Sequence, residues 1–168
     1  NTKEEFDYIV AADGVYSRTK EILFKKDGLP EYFNSIALRG NIQNFVNKDI
    51  SLYLGPNFHF VIYPINQNNE FNFISIIRKE LIEAEISNRN MFNDKTFTNN
   101  LINQISSKTN LNLTEIVKEV KCFPIFVSKK IQIPKFKNVF LTGDAFFSFS
   151  PSFAQGASQS IEAANELF

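Results

Sequence analysis

Two short apolar runs near opposite ends of this chain constrain its fold more than any other feature, because each runs into a paired aspartate and glycine. Phe6-Asp7-Tyr8-Ile9-Val10-Ala11-Ala12 leads into Asp13-Gly14, and Asn138-Val139-Phe140-Leu141-Thr142 leads into Gly143-Asp144. Runs of this length with β-branched residues predict strands buried on both faces, as in a parallel sheet. Ligands of open α/β sheets bind just beyond the carboxyl ends of the strands. Both Asp/Gly pairs therefore fall where a ligand would sit. Glycine lets backbone approach closely, and aspartate accepts hydrogen bonds from hydroxyls or amides. Asp13-Gly14 taken alone also reads as an ordinary turn.

Between the two runs the pattern changes. Ser35–Ile42, Ile50–Leu54, Phe58–Ile65 and Phe71–Ile77 read as strands, with Gly55-Pro56-Asn57 and Asn66–Glu70 as breaks. Short strands joined by short turns predict an antiparallel sheet. Arg78 to Asp94 is polar. Phe97, Leu101 and Ile105 then recur at helical spacing, with Asp94 placed to cap them. Ile116–Val127 returns to strand, and Pro124 confines it to an edge or an end. The expected order is thus α/β, antiparallel β, α/β. The outer pieces form one domain if the two apolar runs share a sheet. The expected division is 1–30, 31–133 and 134–168.

Two helices flank the Asp/Gly pairs. Ser17–Lys26 has Ser17 as N-cap, Lys25 and Lys26 in the last turn, and Gly28 as the stop. Arg18 lies in its first turn, where the helix dipole disfavours a cation by ~0.3–1 kcal/mol. A nearby anion would remove that conflict, and a solvated surface arginine is the plainer reading. The second helix begins near Gln155-Gly156 and carries Ala157, Ile161, Ala164 and Phe168 on one face. Its first amides point free N–H groups outward, which makes an anion site without any side chain. The small residues Gly156, Ala157 and Ser158 admit a ligand closely.

Composition removes several function classes. Eighteen basic and 18 acidic residues balance, which argues against a dedicated nucleic-acid binder. One cysteine and one histidine exclude a disulfide framework and a multi-cysteine or multi-histidine metal site. No apolar run reaches the ~18 residues of a transmembrane segment, no leader pattern opens the chain, and a cytoplasmic location is expected. The 19 Phe accompany 20 Asn, 19 Ile and 14 Lys but only 4 Arg. That joint enrichment is what a coding bias toward A and T produces, so the Phe content is not read as an aromatic binding surface. The chain opens on Asn1 and stops at Phe168 within a helical pattern, and a piece of a longer protein is expected.

Three stretches together carry a resemblance. They are Asp7 through Lys20, Leu54-Gly55-Pro56 through His59 to Tyr63-Pro64, and Val139 through Ala164. In that order they resemble the single-component flavin-dependent aromatic monooxygenases, the group of p-hydroxybenzoate, salicylate and ubiquinone-biosynthesis hydroxylases. The resemblance implies a Rossmann-like FAD/NAD(P)-binding domain (1–30 and 134–168) interrupted by a mostly antiparallel β-sheet substrate domain (31–133). It also implies FAD and NAD(P)H as cofactors, with O2 and a small aromatic molecule as co-substrates. Asp144 and Gly143 would bind ribityl hydroxyls of FAD. The amides of Gln155, Gly156, Ala157 and Ser158 would face the pyrimidine edge of the flavin, and Pro151 would lie near its ring. Asp13 and Gly14, with Arg18, would serve the pyrophosphate region and NAD(P)H use. The middle sheet would roof the substrate pocket.

The sequence also departs from the family pattern. The Gly-x-Gly-x-x-Gly fingerprint and its ribose-binding acid are absent from these residues, so the isolated 168 residues are expected to bind FAD poorly. A histidine common after Gly-Asp-Ala is replaced by Phe146-Phe147, Ala154 and Ala163 stand where glycine and aspartate are frequent, and Lys20 stands where arginine is common. No residue is assigned as catalytic. His59 and Tyr63 are candidate pocket residues with Pro151; His59 also reads as a partly solvated sheet histidine and Tyr63 as a packing residue. Arg39 reads either as a partner for a substrate carboxylate or as half of a cross-strand ion pair. Cys122 reads as an inert buried thiol. The same scaffold also serves flavin halogenases and prenyl reductases, and a non-catalytic binding module is a third reading.

Overall fold

The computed structural model describes residues 3–66 and 69–167. In chain order the strands are β1 (Ile9–Ala11), β2 (Glu31–Gln43), β3 (Ser51–Gly55), β4 (Phe58–Pro64), β5 (Glu70–Arg78), β6 (Val117–Val127) and β7 (Val139–Leu141). The α-helices are α1 (Arg18–Phe24), α2 (Glu83–Ile86), α3 (Arg89–Asn93), α4 (Lys95–Ser106), α5 (Leu113–Ile116) and α6 (Gly156–Asn165). Two compact units result: Asn1–Phe33 with Phe126–Phe168, and Asn34–Ile125. The changeovers fall inside β2 and β6, within the expected 31–133 span.

In the first unit β1 pairs with β7 in parallel, with Ile9 opposite Val139 and Ala11 opposite Leu141. The two ends of the chain therefore share one sheet, as the order of elements predicts. Burial on both faces does not follow. Ala11 and Leu141 are buried, but Ile9 and Val10 are exposed. A parallel strand is buried only when a layer covers each face, and the described residues place none over Ile9 and Val10.

Helix α1 starts as the sequence predicts: the Ser17 hydroxyl accepts from the Lys20 amide at 2.9 Å. It ends earlier than expected. Lys25 takes a left-handed φ of 55°, and Lys25–Gly28 continues as a 3-10 turn. Gly28 is thus a close-packing glycine and not a stop. A Cβ there would lie 2.5 Å from the Lys20 carbonyl oxygen.

The second unit is a five-stranded sheet in the order β3-β4-β5-β2-β6. β2 with β5, β4 with β5, and β3 with β4 are antiparallel. Period-two alternation sends Phe58, Phe60 and Ile62 of β4, Phe71 and Phe73 of β5, and Ile36 and Leu38 of β2 into one core. Leu101, Ile102 and Ile105 of α4 close that core from the helical side. Asp94 caps α4, accepting from the Phe97 amide at 2.9 Å. β6 is an edge strand, which accommodates Pro124. The polar stretch before α4 holds two short helices that the sequence did not announce, α2 and α3. Phe92 is their only buried side chain, so they leave no apolar period to read. In the turn expected at Asn66–Glu70, Gln67 and Asn68 lie outside the described residues, as does Phe168.

No helix among the described residues is long and apolar enough to cross a membrane. Among them there is also no group of His, Cys, Asp and Glu that could hold a metal ion.

Candidate functional site

In the first unit β7 runs into a 3-10 turn, Gly143–Ala145, through Thr142. Gly143 has φ +57°, and a Cβ on it would meet the Ser160 hydroxyl of α6 at 3.0 Å. Backbone angle and packing both call for glycine here. Its carbonyl accepts from the Phe146 and Phe147 amides at 3.0 Å each. Ala145 is fully buried and anchors the turn, whereas Asp144 points outward. The Asp144 carboxylate has no hydrogen-bond or ion-pair partner among the described residues. The neighbouring Thr142 hydroxyl is buried and also without a partner. A buried hydroxyl left unpaired costs free energy, and this one stands at the mouth of the turn.

Helix α6 begins where the sequence predicts, at Gly156 after Gln155, and no side chain caps it. Its first internal bond is accepted by the Gln155 carbonyl from the Gln159 amide at 3.0 Å. The amides of Gly156, Ala157 and Ser158 have no acceptor among the described residues. Gly156 has open space around its Cα. Ahead of it lie exposed Pro151, opening a short 3-10 turn, and Ala154 in a left-handed conformation at φ 52°. The expected apolar stripe of α6 is exposed at Ala157, Ile161 and Ala164, and Ser160 and Ala163 face inward instead. A cavity of about 270 Å³ lies beside α6, lined by Gly143, Asp144, Phe147, Phe149, Gln159 and Ala163, among others.

The Asp13-Gly14 turn is organised internally. Gly14 has φ +79°. One Asp13 oxygen accepts from the Ser17 hydroxyl at 2.6 Å, and the other accepts from the Thr19 amide and hydroxyl at 3.0 Å each. Burial pushes the Asp13 carboxyl up, but the bonds from Ser17 and Thr19 outweigh it and hold the group below its ordinary value. Arg18 is exposed and paired with Glu21 one turn on. Glu21 therefore supplies the anion that the helix dipole demands.

In the sequence Lys20 stands out only as a replacement for arginine. The structure gives it a larger place. Lys20 is 4% exposed. Its Nζ donates to the Ser128 hydroxyl at 3.1 Å and to the Phe146 carbonyl at 3.0 Å. Burial pushes its pKa down. Ser128 in turn accepts from the Ser148 amide at 3.0 Å and donates its own amide to the Ser148 carbonyl at 3.0 Å. No periodicity or spacing marks a lysine that will be buried.

In the second unit His59 and Tyr63 alternate with the core phenylalanines of β4 and so lie on the opposite face. His59 stands across from Leu54 and Ile76. It is half-buried, and that burial lowers its pKa and favours the neutral imidazole. Tyr63 stands opposite Asn72, whose Nδ2 donates to the phenol oxygen at 2.5 Å. Arg39 shares this face, opposite Ile74, and makes no ion pair among the described residues. The cross-strand ion pair is therefore not what the structure shows. Cys122 is buried in the core, and desolvation pushes its pKa up to about 12.

This architecture is the fold of the FAD-dependent aromatic hydroxylases. Superposition on a salicylate hydroxylase substrate complex gives a TM-score of 0.69 at 17% identity, covering 96% of this chain and 46% of that one. Klebsiella pneumoniae HpxO, complexed with FAD and uric acid, gives 0.65 at 16% identity, covering 93% and 40%. CmlS, a flavin-dependent halogenase, gives 0.64 at 13% identity, covering 93% and 28%. The chain thus spans less than half the length of each of these proteins. No protein-family model matches the sequence.

Proposed function

We propose that this chain belongs to an FAD-dependent monooxygenase that hydroxylates a small aromatic molecule with NAD(P)H and O2. The observation that carries the reading is the unpartnered Asp144 carboxylate, set beside the uncapped start of α6 in this fold. The unpaired Thr142 hydroxyl adds a polar group that lacks a partner. These groups fit a ligand that offers hydroxyls to a carboxylate and oxygens to backbone amides, as FAD does.

In this reading Asp144 accepts from flavin side-chain hydroxyls. The amides of Gly156, Ala157 and Ser158 hold electron-rich oxygens, where the dipole of α6 favours negative charge. Asp13 and Gly14 shape the turn that starts α1, with Arg18 on its outer surface toward a nucleotide. Pro151 borders the ring. His59 offers a neutral imidazole to the substrate, and Tyr63 and Arg39 offer a phenol and a cation from the same sheet face. FAD, when bound, supplies the redox chemistry that no side chain here can. The overall reaction consumes aromatic substrate, O2, NAD(P)H and a proton, and yields hydroxylated product, water and NAD(P)+. We place this activity in the cytoplasm, where NAD(P)H is available.

The test uses the full-length protein. A yellow preparation whose NAD(P)H oxidation is stimulated by a phenolic acid, with hydroxylated product formed, supports the proposal. Halide-dependent halogenated product would favour the chemistry named for CmlS. A protein that stays colourless after FAD addition would leave the non-catalytic reading.

A further inference from the structure

A buried ammonium needs partners, because removing a charge from water is expensive. Lys20 has two neutral ones, the Ser128 hydroxyl and the Phe146 carbonyl, and no carboxylate partner among the described residues. Phe146 directly follows the Gly143–Ala145 turn, and Ser128 is bonded to Ser148 just beyond it. Phe146 also donates its amide back to Gly143, and Ser148 donates to the same Ser128 hydroxyl that Lys20 uses. At its other end Lys20 is fixed as firmly. Its amide is capped by Ser17, which donates to Asp13, and its carbonyl is packed against Gly28. A single side chain thus joins the Asp13-Gly14 turn to the Gly143-Asp144 turn.

We propose that Lys20 is a positioning residue: its ammonium fixes the Phe146–Ser148 backbone, and through it the presentation of Gly143 and Asp144 to the cofactor. The second clause rests on the FAD reading above, and the first stands without it. Hydrogen bonds to a charged donor are stronger than neutral ones, so the carbonyl of Phe146 is held more tightly than an uncharged side chain could hold it.

Amide hydrogen exchange on the full-length protein tests the first clause, with and without FAD. Lys20→Met keeps the apolar stem and removes the cation. It should speed exchange at Phe147 and Ser148 by roughly tenfold or more, with exchange in β4 and β5 unchanged. Lys20→Arg, which keeps charge and donors, should restore protection to within about threefold. Unchanged protection in Lys20→Met would overturn the proposal. If that variant does not fold, Ser128→Ala decides. Because Ser148 donates to Ser128 directly, the readout is Phe147, whose amide bonds to Gly143 instead: faster exchange there supports the tie, and wild-type exchange overturns it. For the second clause, FAD affinity should fall roughly tenfold in Lys20→Met and stay unchanged in Lys130→Met, an exposed lysine paired with Asp27. Affinity retained in a Lys20→Met protein with faster exchange would overturn the second clause alone. If the wild-type protein takes up no FAD, the functional reading fails, while the exchange result still judges the tie.

Discussion

The Ser160 hydroxyl lies where a side chain on residue 143 would have to go: a Cβ built on Gly143 comes within 3.0 Å of it. Ser160 is held there by its own bond to the Gly156 carbonyl at 2.8 Å. This contact sets how closely α6 approaches the end of β7. Gly143→Ala should therefore destabilise the protein by about 1–2 kcal/mol from the left-handed backbone alone. Adding Ser160→Ala should recover only the smaller, steric part. Urea unfolding of the three proteins checks this, and full recovery in the double variant would show that the backbone angle carries no cost.

Asp13 contributes to stability through its bonds to Ser17 and Thr19. Its pKa is lowered in the folded protein, so this contribution is present above the unfolded value of 3.8 and disappears as pH falls through the lower folded value. Asp13→Asn should cost about 0.5–1 kcal/mol at pH 7, a capping-sized loss reduced by solvent exposure. The gap between variant and wild type should close below pH 3.8. A gap that stays constant across that range would mean the ionised form is not what Asp13 contributes.

Phe60 is fully buried, stacked on Tyr53 with ring centroids 4.3 Å apart and in contact with Phe73 at 5.5 Å. Phe60→Ala should cost about 3–5 kcal/mol, and Phe60→Leu clearly less. Chemical denaturation monitored by the tyrosine signal reads both. Similar losses for the two variants would mean that aromatic stacking, and not volume, dominates this core.

Cys122 should resist thiol reagents in the native state. With a pKa of about 12 its thiolate is scarce at pH 8, roughly one part in 10,000, and the side chain is buried as well. Labelling by an aromatic disulfide reagent should occur at the rate of unfolding and become rapid in denaturant. Prompt stoichiometric labelling of folded protein would contradict this placement.

The parts of the fold that repeat a simple period were legible. The runs Phe58–Ile65 and Phe71–Ile77, set off by turn residues, gave two strands though not which face they bury, and Asp94 ahead of Phe97, Leu101 and Ile105 gave α4 with its cap. The turns at Gly14 and Gly143 were legible because aspartate-glycine pairs follow apolar runs, and the structure gives both glycines left-handed angles. Features that depend on distant partners were not legible. Lys20 is buried by Ser128 and Phe146, more than a hundred positions away. Gly28 looked like a helix stop but serves a contact with Lys20, and Lys25 breaks the helix in its place. The apolar stripe of α6 and the run Ile9–Val10 were read correctly as apolar, but burial depends on what covers them, and that is not a local property.

Asp144 is the residue proposed to hold the flavin. The direct measurement is FAD titration of full-length wild-type and Asp144→Ala protein, followed by the visible absorption of bound flavin. Wild type should take up FAD and turn yellow. Asp144→Ala should keep its thermal stability, because the exposed carboxylate makes no bond within the described chain. Its FAD affinity should fall on the order of 10- to 100-fold, the loss expected for one or two charge-assisted hydrogen bonds. Equal FAD affinity in the two proteins would contradict the assignment of Asp144, and a wild-type protein that never binds FAD would overturn the flavoenzyme reading altogether.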